Sequence, residues 1–352
     1  MKSGKLTGIE ACRGIAALLV LGIHTRDHLF KNYHVPVPVG DCFLFGHAGV
    51  DFFFVLSGFI IAYVHARDIG RPERLARYLQ RRFTRIYPFY WIICLLTLPL
   101  LAFSTHQDLP TGMNIGTSFL LIPIGQLPFI DVAWTLRHEV VFYVLFATLV
   151  FDRRLGIVLM AVWFFLSLPS LGGPFDDMAS ALSVFNLEFL FGLGAAWLLA
   201  RRTVPAPLAF FGCGAALFFA LAVAEDARLF AGATLAPHLG YAIGSMLVII
   251  GLTERERQGG LTLPAFLVSL GTASYAIYLT QGLGTAVGWQ VMIRMHLDSV
   301  MPIWTQFLSL YIVAAASGWA ISMMIERPVL SLVRNALARA RGAPAAAAAA
   351  DG

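Results

Sequence analysis

Apolar stretches of about 20 residues recur along almost the whole chain, and they restrict its fold more than any other feature. A helix of that length crosses the hydrocarbon core of a bilayer, which is about 30 Å thick. Hydrophobic residues make up 58% of the 352 residues and charged residues 13%, whereas soluble domains average about 45–50% and about 25%. The runs are continuous rather than alternating, which excludes a membrane β-barrel. The sequence therefore predicts an all-α, polytopic membrane protein with about ten transmembrane helices.

The hydropathy pattern places these ten spans to within a few residues. They lie near residues 9–28, 46–66, 84–104, 133–151, 154–171, 180–200, 206–224, 236–253, 264–293 and 303–326. The ninth is longer than one straight span and rich in glycine, so we expect it to tilt, to break or to include an interfacial segment. Residues 1–335 form one predicted membrane domain, and the Ala-rich residues 336–352 form a disordered cytoplasmic tail.

The distribution of lysine and arginine predicts the orientation of the spans. With the N-terminus in the cytoplasm, the outer loops hold only Arg26, Lys31, Arg228 and Arg294, while the inner loops hold most of the others. Because cytoplasmic loops carry an excess of Lys and Arg, both termini are predicted to be cytoplasmic in a multi-pass protein of the inner (plasma) membrane. The same rule accounts for the net charge of +5, so nucleic acid is not an expected partner. The four cysteines lack metal-ligand spacing, and no metal site is expected.

Three ionisable side chains lie in the outer halves of predicted spans: His24 in the first, Asp51 in the second and Glu139 in the fourth. An ionisable side chain inside a membrane is a functional-site hypothesis by default, because burying it costs free energy. We therefore predict an acid–base cluster near the outer leaflet, with His24 and Glu139 as catalytic candidates and Asp51 as support. The alternatives are structural: an interhelical hydrogen bond for His24 and a helix cap for Asp51.

Three arginines lie toward the opposite, inner ends of the spans. Arg13 is near the start of the first span, and Arg82 and Arg85 are at the start of the third. Arg13 and His24 are eleven residues apart, which places them on nearly the same helix face about 16 Å from each other. We predict a cationic mouth on the cytoplasmic side, with simple positive-inside anchoring as the alternative for Arg82 and Arg85.

Several motifs resemble those of the acyltransferase 3 family of integral membrane acyltransferases. They run in family order over almost the whole chain, which makes the set far more specific than any one of them. The matching segments are Arg13-Gly14-Ile15-Ala16-Ala17 with His24, residues 49–59, Arg82-Phe83-Thr84-Arg85-Ile86-Tyr87-Pro88, Trp134-Thr135-Leu136 with Glu139 and Phe142-Tyr143, residues 274–279 and Ile325-Glu326-Arg327-Pro328.

The resemblance implies transfer of an acyl group, usually acetyl from cytoplasmic acetyl-CoA, to a sugar hydroxyl of a surface or lipid-linked glycan. The expected partners are thus acyl-CoA, a glycan or lipid-linked saccharide acceptor and the surrounding membrane lipids. Arginine binds phosphate bidentately, so Arg13, Arg82 and Arg85 suit the phosphates of CoA. No metal is implied.

The family resemblance leaves the course of the transfer open. In one route His24 takes the proton of the acceptor hydroxyl while Glu139 orients or stabilises the imidazole. In a second route His24 is itself acylated. In a third the nucleophile is Ser57, whose alternative role is close helix packing.

A transporter or flippase of a glycolipid or anionic substrate is the rival function from another class. Buried charges and a phosphate-binding mouth are compatible with it. Dependence on a CoA thioester separates the two functions, because an acyltransferase needs that donor and a transporter does not.

Overall fold

The computed structural model describes residues 6–102, 110–124, 126–168, 181–230, 235–259 and 261–340, and these residues contain helices and connecting turns but no strand. The α-helices are α1 (Thr7–Tyr33), α2 (Pro38–Asp41), α3 (Ala48–His65), α4 (Leu75–Ala102), α5 (Gly112–Leu120), α6 (Trp134–Phe151), α7 (Arg153–Ser167), α8 (Glu188–Arg201), α9 (Pro207–Asp226), α10 (Leu235–Arg257), α11 (Ala265–Arg294), α12 (Ile303–Ile321) and α13 (Arg327–Ala340). Short 3₁₀ turns are Leu44–His47, Pro72–Arg74, Asp131–Ala133, Val184–Leu187 and Leu297–Ser299, and a π-helical turn, Ser322–Glu326, joins α12 to α13.

The prediction of an all-α polytopic membrane protein is confirmed. Each of the ten predicted spans coincides with a described helix, namely α1, α3, α4 and α6 to α12. Within the described ranges, seven helical segments are long and apolar enough to cross a membrane: Thr7–Tyr33, Leu44–His65, Pro72–Leu101, Asp131–Phe151, Pro207–Asp226, Leu235–Arg257 and Ile303–Ala340. The predicted end of the fifth span and the predicted start of the sixth fall in residues 169–180, outside the described residues.

One predicted boundary was wrong for an identifiable reason. The third span was predicted to begin near residue 84, but α4 begins at Leu75. Its first turns carry several arginines, which lower the hydropathy although arginine is a good helix former. The predicted cytoplasmic tail begins within α13, which continues to Ala340, and residues 341–352 lie outside the described residues.

The ninth span does not break: α11 is one continuous helix of 30 residues. Its Gly271 faces α1 so closely that an added Cβ would lie 1.8 Å from the carbonyl oxygen of Glu10. Glycine here permits two helix backbones to approach, as small residues commonly do between membrane helices. The glycine content predicted flexibility, whereas at this position it serves close packing.

The same kind of contact joins α3 to α8. A Cβ at Gly192 would lie 2.0 Å from the carbonyl oxygen of Val55, and one at Gly58 would lie 2.3 Å from that of Phe189. Because α1 packs against α11 and α3, and α4 and α6 pack against each other and against these helices, five helices enclose one interior space. That space contains the candidate site.

Candidate active site

A cavity of about 320 Å³ lies among α1, α3, α4, α6 and α11. Five residues that the sequence singled out line it together: Arg13, Ser57, Arg82, Arg85 and Glu139. They come from four helices and from positions up to 126 residues apart in the chain. The cavity therefore combines the predicted cationic mouth with one of the two predicted catalytic residues.

Two of the arginines have carboxylate neighbours. Arg13 forms an ion pair with Glu10 one turn earlier in α1, with an N–O distance of 3.2 Å. Arg85 lies 4.0 Å from Glu326, and its guanidinium carbon is 5.4 Å from the centre of the Tyr275 ring. Glu326 belongs to the π-helical turn, so this turn brings an acid from the end of the chain toward the cavity.

The third arginine, Arg82, contacts mainly the rings of tyrosine and histidine side chains. Its guanidinium carbon lies 5.5 Å from the ring centre of Tyr143, and its Nη2 is 3.4 Å from His65 Nε2. His65 in turn contacts Asp68 through Nδ1 at 2.8 Å. The buried Arg82 Nε has no hydrogen-bond partner among the described residues. Since a buried donor without a partner costs about 1–3 kcal/mol, this guanidinium retains the capacity to bind an anion.

Glu139 receives two hydroxyl donors on the same oxygen. Ser57 Oγ donates to Oε1 over 3.0 Å, and the Tyr143 hydroxyl donates to Oε1 as well. Tyr143 follows Glu139 by one helix turn, so the pair is set by the helix itself. Both bonds therefore converge on one oxygen of the carboxylate.

Helix geometry explains why Glu139 and the arginines meet at one depth. Glu139 is twelve residues before the end of α6, or about 18 Å from the predicted cytoplasmic end. Arg85 is ten residues after the start of α4, or about 15 Å from the same side. The separation predicted between an inner cationic mouth and an outer Glu139 was therefore wrong, because α4 begins earlier than its hydropathy indicated.

His24 does not line this cavity. It lies about 16 Å beyond Arg13 along α1, and its side chain is exposed. The acids in electrostatic reach are Asp27 and Asp131, and no hydrogen bond joins it to Glu139 among the described residues. Asp131 precedes Glu139 by about two helix turns, so His24 lies outward of the cavity.

A layer of buried and partly buried side chains separates the cavity from this outer position. Thr135 Oγ1 lies 3.1 Å from the Tyr278 hydroxyl, and both groups are within hydrogen-bonding distance of the Val132 carbonyl. The ring of Phe53 meets that of Tyr278 edge-on, with centroids 5.8 Å apart. We call Phe53, Val132, Thr135 and Tyr278 the separating layer.

Asp51 is also absent from the cavity, so the predicted cluster of His24, Asp51 and Glu139 does not form. Asp51 is fully buried and accepts a hydrogen bond from His238 Nδ1 in α10. Asp51 and Ser57 are six residues apart, which rotates their side chains about 240° around α3. The sequence predicted a shared depth for these three groups, but a shared depth does not fix the direction in which each side chain points.

Two cavity residues received no role in the sequence analysis. Tyr143 was visible as part of the Phe142-Tyr143 motif, and its spacing of four from Glu139 is the signal that predicts a side-chain pair. Glu10 lies one turn before Arg13 and carries the same signal. His238 gave no local signal, because its contact with Asp51 spans 187 residues of chain.

Comparison with known proteins identifies the family of the chain that contains this cavity. The acyltransferase domain that defines the acyltransferase 3 family matches residues 6–323. The chain belongs to the acyltransferase 3 family. As a member of that family it is an acyltransferase, and its apolar helices make it a membrane enzyme.

Named relatives agree with membership of the acyltransferase 3 family. The chain is 31% identical over 316 residues to the exopolysaccharide production protein ExoZ of Rhizobium meliloti (strain 1021), which covers 85% of this chain and 94% of ExoZ. It is 27% identical over 152 residues to the acyltransferase MdmB of Streptomyces mycarofaciens, covering 40% of this chain and 38% of MdmB. It is also 27% identical over 161 residues to protein 2 in the picA locus of Rhizobium radiobacter, covering 40% and 79%. No solved structure matches the chain significantly. These relatives favour the transferase over the transporter.

Proposed function

We propose that this membrane acyltransferase moves an acyl group, with acetyl as the first candidate, from cytoplasmic acyl-CoA to a sugar hydroxyl of a surface or lipid-linked glycan. The proposal includes a location in the inner (plasma) membrane with both termini cytoplasmic. The observation that carries it is the convergence of Arg13, Arg82 and Arg85 on one cavity that also holds Glu139. The name of ExoZ, an exopolysaccharide production protein, supports a glycan as acceptor.

The arginines are suited to the phosphates of CoA. Three guanidinium groups and two carboxylates, Glu10 and Glu139, line the cavity, so positive charge is in excess. Arginine pairs with phosphate oxygens through two parallel hydrogen bonds, and Arg82 Nε is a buried donor with no partner among the residues that the structure describes. In this proposal the phosphates stay with the arginines while the pantetheine arm carries the thioester outward past Glu139.

His24 is the proposed base on the acceptor side. Its exposed imidazole takes the proton of the sugar hydroxyl as the hydroxyl oxygen attacks the thioester carbon. The C–S bond then breaks, and the CoA sulfur leaves with a proton. Glu139 holds Ser57 and Tyr143, so its role in this route is to order the donor cavity rather than to orient His24.

A second route is favoured by one specific distance. Ser57 Oγ lies 3.0 Å from Glu139 Oε1, the separation expected of a nucleophile and its base. In that route Ser57 Oγ attacks the thioester carbon while Glu139 takes the hydroxyl proton, the C–S bond breaks, and CoA leaves as the thiol with that proton. The acceptor hydroxyl then attacks the acyl-serine ester, the bond to Oγ breaks, and the hydroxyl proton returns to Ser57 through Glu139. An acyl-His24 intermediate is the third route. An acylated peptide containing either Ser57 or His24 distinguishes the second route from the third.

The decisive test of function is donor dependence. Membranes from cells expressing the protein are incubated with acetyl-CoA labelled in the acetyl group, and base-labile label is counted in the polysaccharide and glycolipid fractions. We expect label above that of vector-only membranes, and its loss in Arg82→Ala and Arg85→Ala. Arg154→Ala is the matched control, because Arg154 is exposed and outside the cavity.

The opposite results separate the rival functions. Equal label in wild-type and vector-only membranes, with altered export of glycolipid, would support the transporter. Label that persists unchanged in both arginine variants would contradict phosphate binding in the cavity while leaving the transferase activity itself intact.

A further inference from the structure

Five ionisable side chains meet at a second place, where the ends of four helices come together. His47 precedes α3, Asp51 lies in its first turn, Glu188 begins α8, Glu225 is the penultimate residue of α9 and His238 lies in the first turns of α10. One ligand atom each from His47, Asp51 and His238 lies within 4.8 Å of the others. None of the five lines the arginine cavity, so the cluster is separate from the candidate active site.

The distances are those of a metal site that needs only small side-chain movements. His238 Nδ1 contacts Asp51 Oδ1, His47 Nδ1 lies 3.9 Å from Asp51 Oδ2, and His238 Nδ1 lies 3.9 Å from Glu188 Oε1. Ligand atoms at about 2.0–2.1 Å from a tetrahedral Zn²⁺ are about 3.3 Å from one another. Two imidazole nitrogens and two carboxylate oxygens can therefore surround one ion.

Two buried oxygen atoms in the cluster point to a missing partner. Asp51 Oδ2 and Glu188 Oε2 have no hydrogen-bond partner among the described residues, although Asp51 is fully buried and Glu188 is 2% exposed. Two adjacent carboxylates out of water repel each other and lose their hydration. A divalent cation between them removes both costs.

The surroundings of His47 are those of a metal-binding histidine. Its other ring nitrogen, Nε2, lies 2.7 Å from Glu225 Oε1, and Glu225 Oε2 accepts a hydrogen bond from the Tyr241 hydroxyl over 2.8 Å. A histidine that binds a metal usually gives its second ring N–H to a carboxylate, which fixes the tautomer and the ring orientation. Here that carboxylate is itself held by a tyrosine.

We propose that His47, Asp51, Glu188 and His238 bind one divalent first-row metal ion, with Zn²⁺ as the ion that suits these ligands best. Imidazole with carboxylate is a common Zn²⁺ ligand set. Four protein ligands close the coordination shell, which is the arrangement of a structural rather than a catalytic zinc. The ion joins α3, α8 and α10 directly and α9 through Glu225.

The test measures metal in the full-length protein, purified in detergent with an affinity tag that contains no histidine. The protein is stripped with EDTA, saturated with ZnCl₂ and passed through a gel-filtration column, and zinc is then counted per chain by mass spectrometry. We expect about one equivalent in the wild type and at least a fivefold loss in His47→Ala and in His238→Ala. His34→Asn is the control, because His34 is a loop histidine with φ of 56°, which asparagine tolerates.

A wild type that retains no zinc overturns the proposal, as does equal zinc in the wild type and both cluster variants. If the variants do not fold, Co²⁺ bound to the wild type decides. Intense visible absorption of tetrahedral Co²⁺ supports the site, and the weak absorption of octahedral Co²⁺ contradicts it. Addition of Zn²⁺ to stripped wild-type protein is also expected to raise Tm, and an unchanged Tm would contradict a structural ion.

Discussion

At the scale of single residues, the proposed mechanism assigns His24 and Glu139 to opposite sides of the same transfer. Glu139 is engaged by two hydroxyl groups inside the cavity, whereas His24 has an exposed imidazole further out along α1. Their roles are therefore separable by mutation, since neither side chain holds the other.

We expect His24→Ala to lower transfer by about 10²–10⁴-fold, the usual contribution of a general base. The measurement is the O-acyl ester content of cell-surface polysaccharide in cells that carry equal amounts of wild-type or variant protein in the membrane. His34→Asn serves as a control and retains wild-type ester content. Equal ester content in wild type and His24→Ala would make His24 a packing residue and move the base to Glu139.

Ser57→Ala separates direct transfer from an acylated serine. If His24 acts directly, Ser57→Ala loses only a hydrogen bond to Glu139, worth about 1.5–3 kcal/mol because the acceptor is charged, and transfer persists at a reduced rate. If Ser57 is the nucleophile, transfer is abolished. The check is single-turnover acyl transfer with labelled acetyl-CoA, followed by mass spectrometry for an acylated peptide containing Ser57 or His24.

The identity of the site residues was largely predictable from the sequence, and their grouping was not. Arg13, Arg82 and Glu139 stood out because a charged side chain in or beside an apolar span costs free energy unless it has a partner or a function. Asp51 stood out for the same reason, but its partner His238 lies 187 residues away and no local pattern connects them. Grouping depends on how each helix is rotated about its axis, and a rotation of one residue changes the facing direction by about 100°.

At the scale of helices, close backbone contact between α1 and α11 sets one wall of the cavity. Gly14 and Gly271 face each other across this contact, and a Cβ at Gly14 would lie 2.9 Å from the backbone nitrogen of Gly271. Arg13 is next to this contact, so its position in the cavity depends on how near the two helices lie.

We expect Gly271→Ala to destabilise the protein by about 1–3 kcal/mol or more, because the added methyl group overlaps the Glu10 carbonyl. Gly282→Ala in the same helix is the matched control, since a Cβ there meets no atom within 4 Å. Alanine is the better helix former by about 0.5–1 kcal/mol, so the control is neutral or stabilising. Thermal unfolding in detergent measures both, and equal Tm values for the two variants would contradict the close contact.

Hydropathy predicted the existence of the helices well and their ends less well. The start of α4 was missed because Arg77 and Arg81 are polar yet helical. The break that was one alternative for the ninth span does not occur in α11, and Gly271 instead matches the shape of a neighbouring helix that the sequence does not reveal. Such contacts between helices are not contained in a pattern along one segment.

At the scale of the whole molecule, the predicted orientation places donor and acceptor on opposite sides of the membrane. The loop between α1 and α3 contains Cys42, whose side chain is exposed. The positive-inside rule predicts that this loop is outside and that Arg202, after α8, is inside.

We expect a charged, membrane-impermeant maleimide to label Cys42 in intact spheroplasts and to fail to label the Cys42→Ser variant. With Cys42→Ser as background, Arg202→Cys is expected to react only after the membrane is permeabilised. Gel mobility after modification of the thiol reports both reactions. Labelling of Arg202→Cys in sealed spheroplasts would reverse the orientation and remove the cytoplasmic donor from the proposal.

The separating layer has an electrical consequence. In the proposed orientation the arginine cavity lies on the cytoplasmic side of the separating layer, and His24 lies on its outer side. A continuous aqueous path between them would conduct ions, each driven by about 2.3 kcal/mol per 100 mV of membrane potential. The separating layer blocks that path with the side chains of Phe53, Val132, Thr135 and Tyr278. An uncharged acyl group on the thin pantetheine arm is expected to pass such a barrier more easily than an ion, so the proposed transfer would deliver the group outside without dissipating the membrane potential.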